Sequence, residues 1–147
     1  MAAVLLIVED SDSDYEAIVR ALRKVGTDVS VLRAGDADTA VETIRRGVEG
    51  KGDPKPPEPT VVLLDLGLPD GDGREVLDEV KTSENLRQVP VVVFSSSTDP
   101  KTIAECYRRG AAGYLVKPFD FSRLEKIARS LKEYWLDSVA LPGRGED

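Results

Sequence analysis

Residues 61–73 read VVLLDLGLPDGDG: four consecutive aliphatic side chains, then Asp65, then a stretch dense in Gly, Pro and Asp. A continuous apolar run closed by turn residues is the pattern of a strand covered on both faces, because a half-exposed strand would alternate. Similar runs lie upstream at residues 4–8, closed by Glu9-Asp10, and downstream at 91–94, closed by Ser95. Residues 29–32 and 113–116, the latter followed by Lys117, complete a set of five predicted strands. Helical stripes alternate with them: Ile18, Val19, Leu22 and Val25; Ala37, Ala40, Val41 and Ile44; Val76, Leu77 and Val80; Ile103, Ala104 and Tyr107; and Leu124, Ile127, Ala128, Leu131 and Trp135. Asp12, Asp36, Pro100 and Asp120 stand where helices should start, and Gly26, Gly47 and Gly110 where they should end.

Strict βα alternation implies a parallel sheet with helices on both faces, joined by right-handed crossovers. Five units predict an α/β doubly wound fold of the flavodoxin-like kind, strand order 2-1-3-4-5. Such a fold needs roughly 125 residues, and the chain has 147. The surplus falls in residues 47–59, GVEGKGDPKPPEP, read as a solvated surface insertion, and in the tail. One domain is expected, with a core of about 3–133 and an extension over about 134–147.

Composition narrows the chemistry. Hydrophobic residues at 41% and charged ones at 32% describe a folding, soluble chain rather than a disordered one. A formal charge of −7 argues against a phosphate-tracking nucleic-acid surface. There is no histidine, which excludes Ser-His-Asp and Cys-His catalysis and His-rich zinc sites. A single cysteine, Cys106, precludes internal disulfides and suits a reducing cytoplasm. The first apolar run is too short to span a membrane and lacks a basic start.

In open parallel sheets, ligands bind beyond the carboxyl ends of the strands near the switch point. The ends here carry Glu9, Asp10, Asp65, Ser95 and Lys117, and the predicted order sets the first and third strands side by side. Three carboxylates at about 4 Å repel by roughly 4 kcal/mol per pair at an effective dielectric near 20, so a proton or cation must compensate. Oxygen-only ligands favour a hard ion such as Mg²⁺. A cation and a lysine around an aspartate meet the needs of phosphoryl transfer, with Asp65 the natural nucleophile.

Other acidic or phosphate sites fit less well. Asp10, Asp12 and Asp14 begin like a calcium loop, but Tyr15 and Ala21 occupy the positions that need Gly and Glu. An Asp-nucleophile phosphatase of the haloacid dehalogenase type needs a second Asp where Gly67 stands. A dinucleotide fold needs G-x-G-x-x-G where EDSDSD stands.

With these residues in place, the chain resembles a two-component response-regulator receiver domain. The likeness runs through VLLIVEDSDSD, VVLLDLGLPDGDGREVL, PVVVFSSSTDP and GAAGYLVKPFD, in order and over nearly the whole chain. It implies phosphoryl transfer from a sensor histidine kinase onto Asp65, with self-catalysed phosphorylation and slow autodephosphorylation rather than enzyme turnover. It implies Mg²⁺ held by Asp10, Asp65 and the Gly67 backbone carbonyl, with Glu9 acting through water. Ser95 would bond a phosphoryl oxygen, Lys117 would pair with it, and Tyr114 would be an aromatic switch whose rotamer follows Ser95. Lys117–Pro118 would be a cis peptide. Gly71 departs from the usual apolar residue of its loop, which suggests a looser loop.

A finer likeness, carried by DLGLPDGDGREVL, the Pro-rich insertion, SSSTDP and YWLDSVALP, is to the stand-alone regulators partnered with bacterial phytochrome kinases. The last helical stripe continues to Trp135, Leu136, Val139 and Leu141, an apolar patch expected to form a homodimer or partner surface. The alternatives are a phosphorylation-independent interaction module that keeps the pocket, or a phosphorelay intermediate for another kinase. The chain is expected to be cytoplasmic, with neither nucleic acid nor membrane as partner.

Overall fold

A computed structural model describes residues 3–50 and 52–138. The order is β1 (Val4–Val8), α1 (Asp12–Lys24), β2 (Ser30–Ala34), α2 (Ala37–Glu49), β3 (Val61–Leu64), β4 (Gly67–Leu68), β5 (Gly71–Asp72), α3 (Arg74–Thr82), β6 (Val91–Ser95), α4 (Pro100–Arg108), β7 (Gly113–Val116) and α5 (Phe121–Ser130). A π-helical segment, Leu131–Ser138, continues α5. The main sheet runs β2-β1-β3-β6-β7 with every pairing parallel, the predicted doubly wound order. β4 and β5 pair separately as a small antiparallel hairpin.

The continuous apolar runs of β1, β3 and β6 read as they did because each of these central strands feeds two cores. Leu6, Val8, Val62, Leu64, Val91 and Val93 face Ala40, Ile44, Val76, Leu77, Val80 and Cys106 on one side. Leu5, Ile7, Val61, Leu63, Val92 and Phe94 face Ile18, Ala21, Leu22, Ala128 and Leu131 on the other. Each fully buried Leu, Ile or Val contributes about 1.5–3 kcal/mol relative to exposure, so the central strands are the best-anchored part of the chain. Their carboxyl ends are thereby fixed as the platform for the site.

Several expectations need correction. Gly47 does not end α2; the helix runs on to Glu49 and closes on Gly50, at φ 69°. A Cβ on Gly47 would lie 2.4 Å from the Pro57 carbonyl oxygen, so the glycine serves the close approach of the Pro-rich segment to the helix. The segment touches α2 at Pro57 and Glu58, while residues 52–55 and Pro57 are exposed, as expected of a solvated surface insertion. The α4 stripe also differs: Cys106 is its buried residue, Ala104 and Tyr107 are exposed and Ile103 is half-buried. The helix gives its flank to ion pairs, Glu105 bonding Arg74 and Arg109, which leaves a narrower apolar contact than the sequence suggests.

The expected terminal patch is also altered. Trp135 and Leu136 are partly buried against the core beside α1 and α5, while Tyr134 is the exposed aromatic, edge-on to Trp135. A long apolar stripe is stabilised first by the nearest apolar surface, here its own domain. Val139 and Leu141 lie outside the described residues. Among the described residues no helix is long and apolar enough to cross a membrane.

Candidate functional site

Glu9 and Asp10 follow β1 and Asp65 follows β3, and these strands are hydrogen-bonded neighbours. The Asp65 amide still donates to the Val8 carbonyl at 3.0 Å, so the sheet ladder itself places Asp65 beside the end of β1. Carboxylate oxygens of Glu9, Asp10 and Asp65 all lie within 4.8 Å of one another. Asp10 is exposed, Asp65 half-buried and Glu9 only 2% exposed.

Lys117, after β7, reaches into this cluster. Its Nζ donates to Glu9 Oε1 at 2.8 Å and Asp14 Oδ2 at 3.1 Å, and stands 3.6 Å from Asp65 Oδ2. The second Glu9 oxygen accepts from the Ser11 amide at 3.2 Å. Burial pushes the Glu9 carboxyl above its ordinary value and the Asp65 charge adds to this, with Lys117 opposing. Burial alone would depress the Lys117 ammonium, but Glu9 and Asp65 outweigh it and hold the group above its usual value. The lysine is therefore cationic, and the pocket is a carboxylate cluster with one built-in positive charge.

Ser95 ends β6, buried, its Oγ accepting from the Ser97 amide at 3.2 Å. Tyr114 lies on the neighbouring β7 and donates its hydroxyl to the Ser97 carbonyl at 2.8 Å. Ser95 and Tyr114 thus meet on one loop, the link from β6 to α4. The Asp65 Oδ1 accepts from the Gly67 amide at 3.3 Å, and the Gly73 amide donates to the Leu66 carbonyl at 2.8 Å, folding the β4–β5 hairpin back on the end of β3. Gly71, at φ 150°, serves this hairpin, which is further tied by buried Leu68 and by Asp70 and Asp72.

All the predicted pocket residues fall at one end of the sheet, as the strand order requires. The Lys117–Pro118 bond, expected cis, is trans; among the described residues the cis bond is Asp53–Pro54. Trans is the lower state of X-Pro by about 0.5–1 kcal/mol, and from it the lysine already reaches its carboxylates. Asp14 was weighed only as a calcium ligand, yet it shares Lys117. Arg33 also went unnoticed: its Nε donates to the Glu9 carbonyl at 3.1 Å, one NH pairs with Asp12 at 2.8 Å and its guanidinium covers the Tyr15 ring. It fastens the segment bearing Glu9 and Asp10 from β2.

A parallel five-stranded sheet with an acidic trio and a lysine at its carboxyl edge defines a receiver-type signalling domain. The family model described as "Response regulator receiver domain" matches residues 5–129, and the chain belongs to that family. It is 37% identical over 140 residues to the "Probable methanogenesis regulatory protein FilR2" of Methanothrix harundinacea, covering 95% of this chain and 88% of that one. It is 32% identical over 139 residues to response regulator Rcp1 of Synechocystis, covering 95% and 92%. A solved structure of the phosphorylated cyanobacterial phytochrome response regulator RcpA superposes with a TM-score of 0.86 at 32% identity, covering 97% of this chain and all of that one. Rcp1 has itself been solved in an Mn²⁺-bound form, TM-score 0.81, covering 96% and 99%. The protein is thus a receiver-domain response regulator of the two-component type.

Proposed function

We propose that the chain is a phosphoacceptor which takes a phosphoryl group from a kinase phosphohistidine onto Asp65 and thereby switches a protein-interaction surface. The observation that carries the reading is the Glu9, Asp10 and Asp65 oxygens gathered within 4.8 Å with Lys117 Nζ 3.6 Å from Asp65. In the reaction, an Asp65 carboxylate oxygen forms a bond to phosphorus as the N–P bond of the phosphohistidine breaks. The bonding pair stays on the imidazole nitrogen, which then takes a proton from water. With no histidine in these 147 residues, the donor imidazole lies outside them.

The pocket fits a hard divalent cation: its donors are all oxygens, they converge, and neither sulfur nor imidazole is among them. Asp10, Asp65 and the Gly67 carbonyl would hold Mg²⁺, with Glu9 acting through water, and the ion would neutralise charge shared by the carboxylates and the phosphoryl group. Lys117 stabilises the same charge from the opposite strand end. Ser95 bonds a phosphoryl oxygen. Its movement, with Tyr114 leaving or keeping Ser97, carries the change to the surface around α4, β7 and α5.

The similarity to the phytochrome response regulator RcpA over 97% of this chain supports a phytochrome-type kinase as donor. The higher identity to FilR2 keeps a second reading in view, a regulator or phosphorelay intermediate served by a different kinase. A cytoplasmic, homodimeric regulator is proposed, with core about 3–133, the extension from about 134 including Trp135, Leu136, Val139 and Leu141 at the subunit contact, and no nucleic-acid or membrane partner. Incubation with Mg²⁺ and a small acyl phosphate, followed by intact mass, is the direct test. One phosphoryl adduct is expected, absent in Asp65→Asn; no adduct, or one that survives in Asp65→Asn, overturns the reading.

A further inference from the structure

The first four amides of a helix lack partners inside it and must find them elsewhere. In α2 the Ala40 amide makes the first intrahelical bond, to the Asp36 carbonyl at 3.1 Å, which leaves the amides of Ala37, Asp38 and Thr39 to be met from outside the helical ladder. The Thr39 amide donates to the Asp36 side chain at 2.7 Å. The other two, Ala37 and Asp38, donate to Asp70 Oδ1 at 2.8 Å and Oδ2 at 3.1 Å. Asp70 lies more than thirty residues away, at the tip of the β4–β5 hairpin. It supplies the part of the cap that Asp36 does not provide.

This contact can bear on the site because the hairpin is continuous with it. Gly67, whose carbonyl is proposed as a cation ligand, opens β4, and pairing across the hairpin joins Leu68 to Gly71 and Gly67 to Asp72. The base is closed by the Gly73 amide on the Leu66 carbonyl. Pro69 and Gly71 shape the turn, the latter at a φ that side chains rarely adopt. Through Asp70 the tip docks on the first turn of α2, and α2 rests on the buried face of β1 and β3.

We propose that Asp70 is a positioning residue for the cation site: by docking the hairpin tip on the first turn of α2, it holds the Gly67 carbonyl against the Asp10 and Asp65 carboxylates. The inference rests on the phosphoacceptor reading above. The two amide bonds also hold the Asp70 carboxyl below the usual carboxylate range, so the contact is made by a carboxylate at neutral pH. An isosteric amide could accept through one atom only, its NH₂ turned toward a donor amide.

Isothermal titration of the full chain with MgCl₂ tests it, using wild type, Asp70→Ala, Asp70→Asn and Asp36→Ala. Asp36→Ala uncaps the same helix without touching the hairpin, so it reports the purely structural effect. Loss of an outer partner of a metal ligand commonly weakens binding 10–100-fold. The expected result is a Kd for Mg²⁺ raised about tenfold or more in Asp70→Ala, less in Asp70→Asn, and within about twofold of wild type in Asp36→Ala. Asp70→Ala within twofold of wild type, or Asp36→Ala as weak as Asp70→Ala, overturns the proposal while leaving the phosphoacceptor reading intact. Wild type that binds no Mg²⁺ overturns both.

Discussion

Gly73 opens α3 at φ −57° and ψ −21°, a conformation that alanine adopts freely. By backbone entropy alone, Gly73→Ala should stabilise by about 0.4–1 kcal/mol. The surroundings say otherwise. A Cβ built there lies 2.5 Å from the Asp65 carbonyl oxygen and 2.7 Å from the Leu66 Cα, both backbone atoms with no rotamer to turn. Overpacking of this kind costs about 1–3 kcal/mol, so the balance is a net loss centred on about 1.3 kcal/mol. At about 2–4 °C per kcal/mol for a domain of this size, Tm should fall by about 3–5 °C. Relief to an ordinary contact moves the Asp65 backbone by roughly half to one ångström, and misplacement of a reacting group by about 1 Å costs about 10²-fold. The rate of adduct formation with acyl phosphate and Mg²⁺, followed by intact mass, should therefore drop at least about tenfold. Gly35→Ala is the control: no atom lies within 4 Å of its Cβ position. Its Tm should stay within the roughly 0.5 kcal/mol scatter of surface substitutions, with unchanged rate. If Gly73→Ala melts at or above wild type and is phosphorylated as fast, the steric reasoning is wrong.

Further outcomes follow from individual contacts. The Arg74 hydrogen bond holds the Asp72 carboxyl below its usual range. A depressed folded-state pKa gives stability that is present above the unfolded value, about 3.9, and lost as pH falls through the folded one. The Tm gap between wild type and Arg74→Met should hold from pH 7 to about 4 and close below it; a gap that widens on acidification would contradict the pairing. Tyr114→Phe removes the hydroxyl that serves the Ser97 carbonyl and should cost about 0.5–1.5 kcal/mol by urea denaturation, with an unchanged m-value. Burial raises the Cys106 thiol pKa and leaves the side chain inaccessible. Iodoacetamide at neutral pH should label it in urea but not in native protein, and rapid native labelling would show α4 open.

The sheet and the membership of the pocket were readable because both rest on local patterns. A strand fed by two cores must be continuously apolar, as 4–8 and 61–64 are, so its polar end is visible as the point where the run stops. Parallel order then gathers those ends. Gly47 and the α4 stripe misled for the opposite reason: whether a glycine ends a helix or admits a neighbour depends on what packs there, and Pro57 lies ten residues on. β4 and β5, two residues each, are too short to show a period.

By itself, then, the sequence determined the α/β architecture and set Glu9, Asp10, Asp65, Ser95 and Lys117 at the carboxyl ends of its strands. Only the tertiary structure decided how the charges are shared. Lys117 sits closest to Glu9 and Asp14, not Asp65, and the pairs span more than a hundred residues. It also decided that Asp70 caps α2 and that Trp135 packs in part against its own domain. Hydrophobic periodicity is a property of neighbours along the chain, whereas ion pairs and caps are settled by ångström distances between segments the sequence holds far apart.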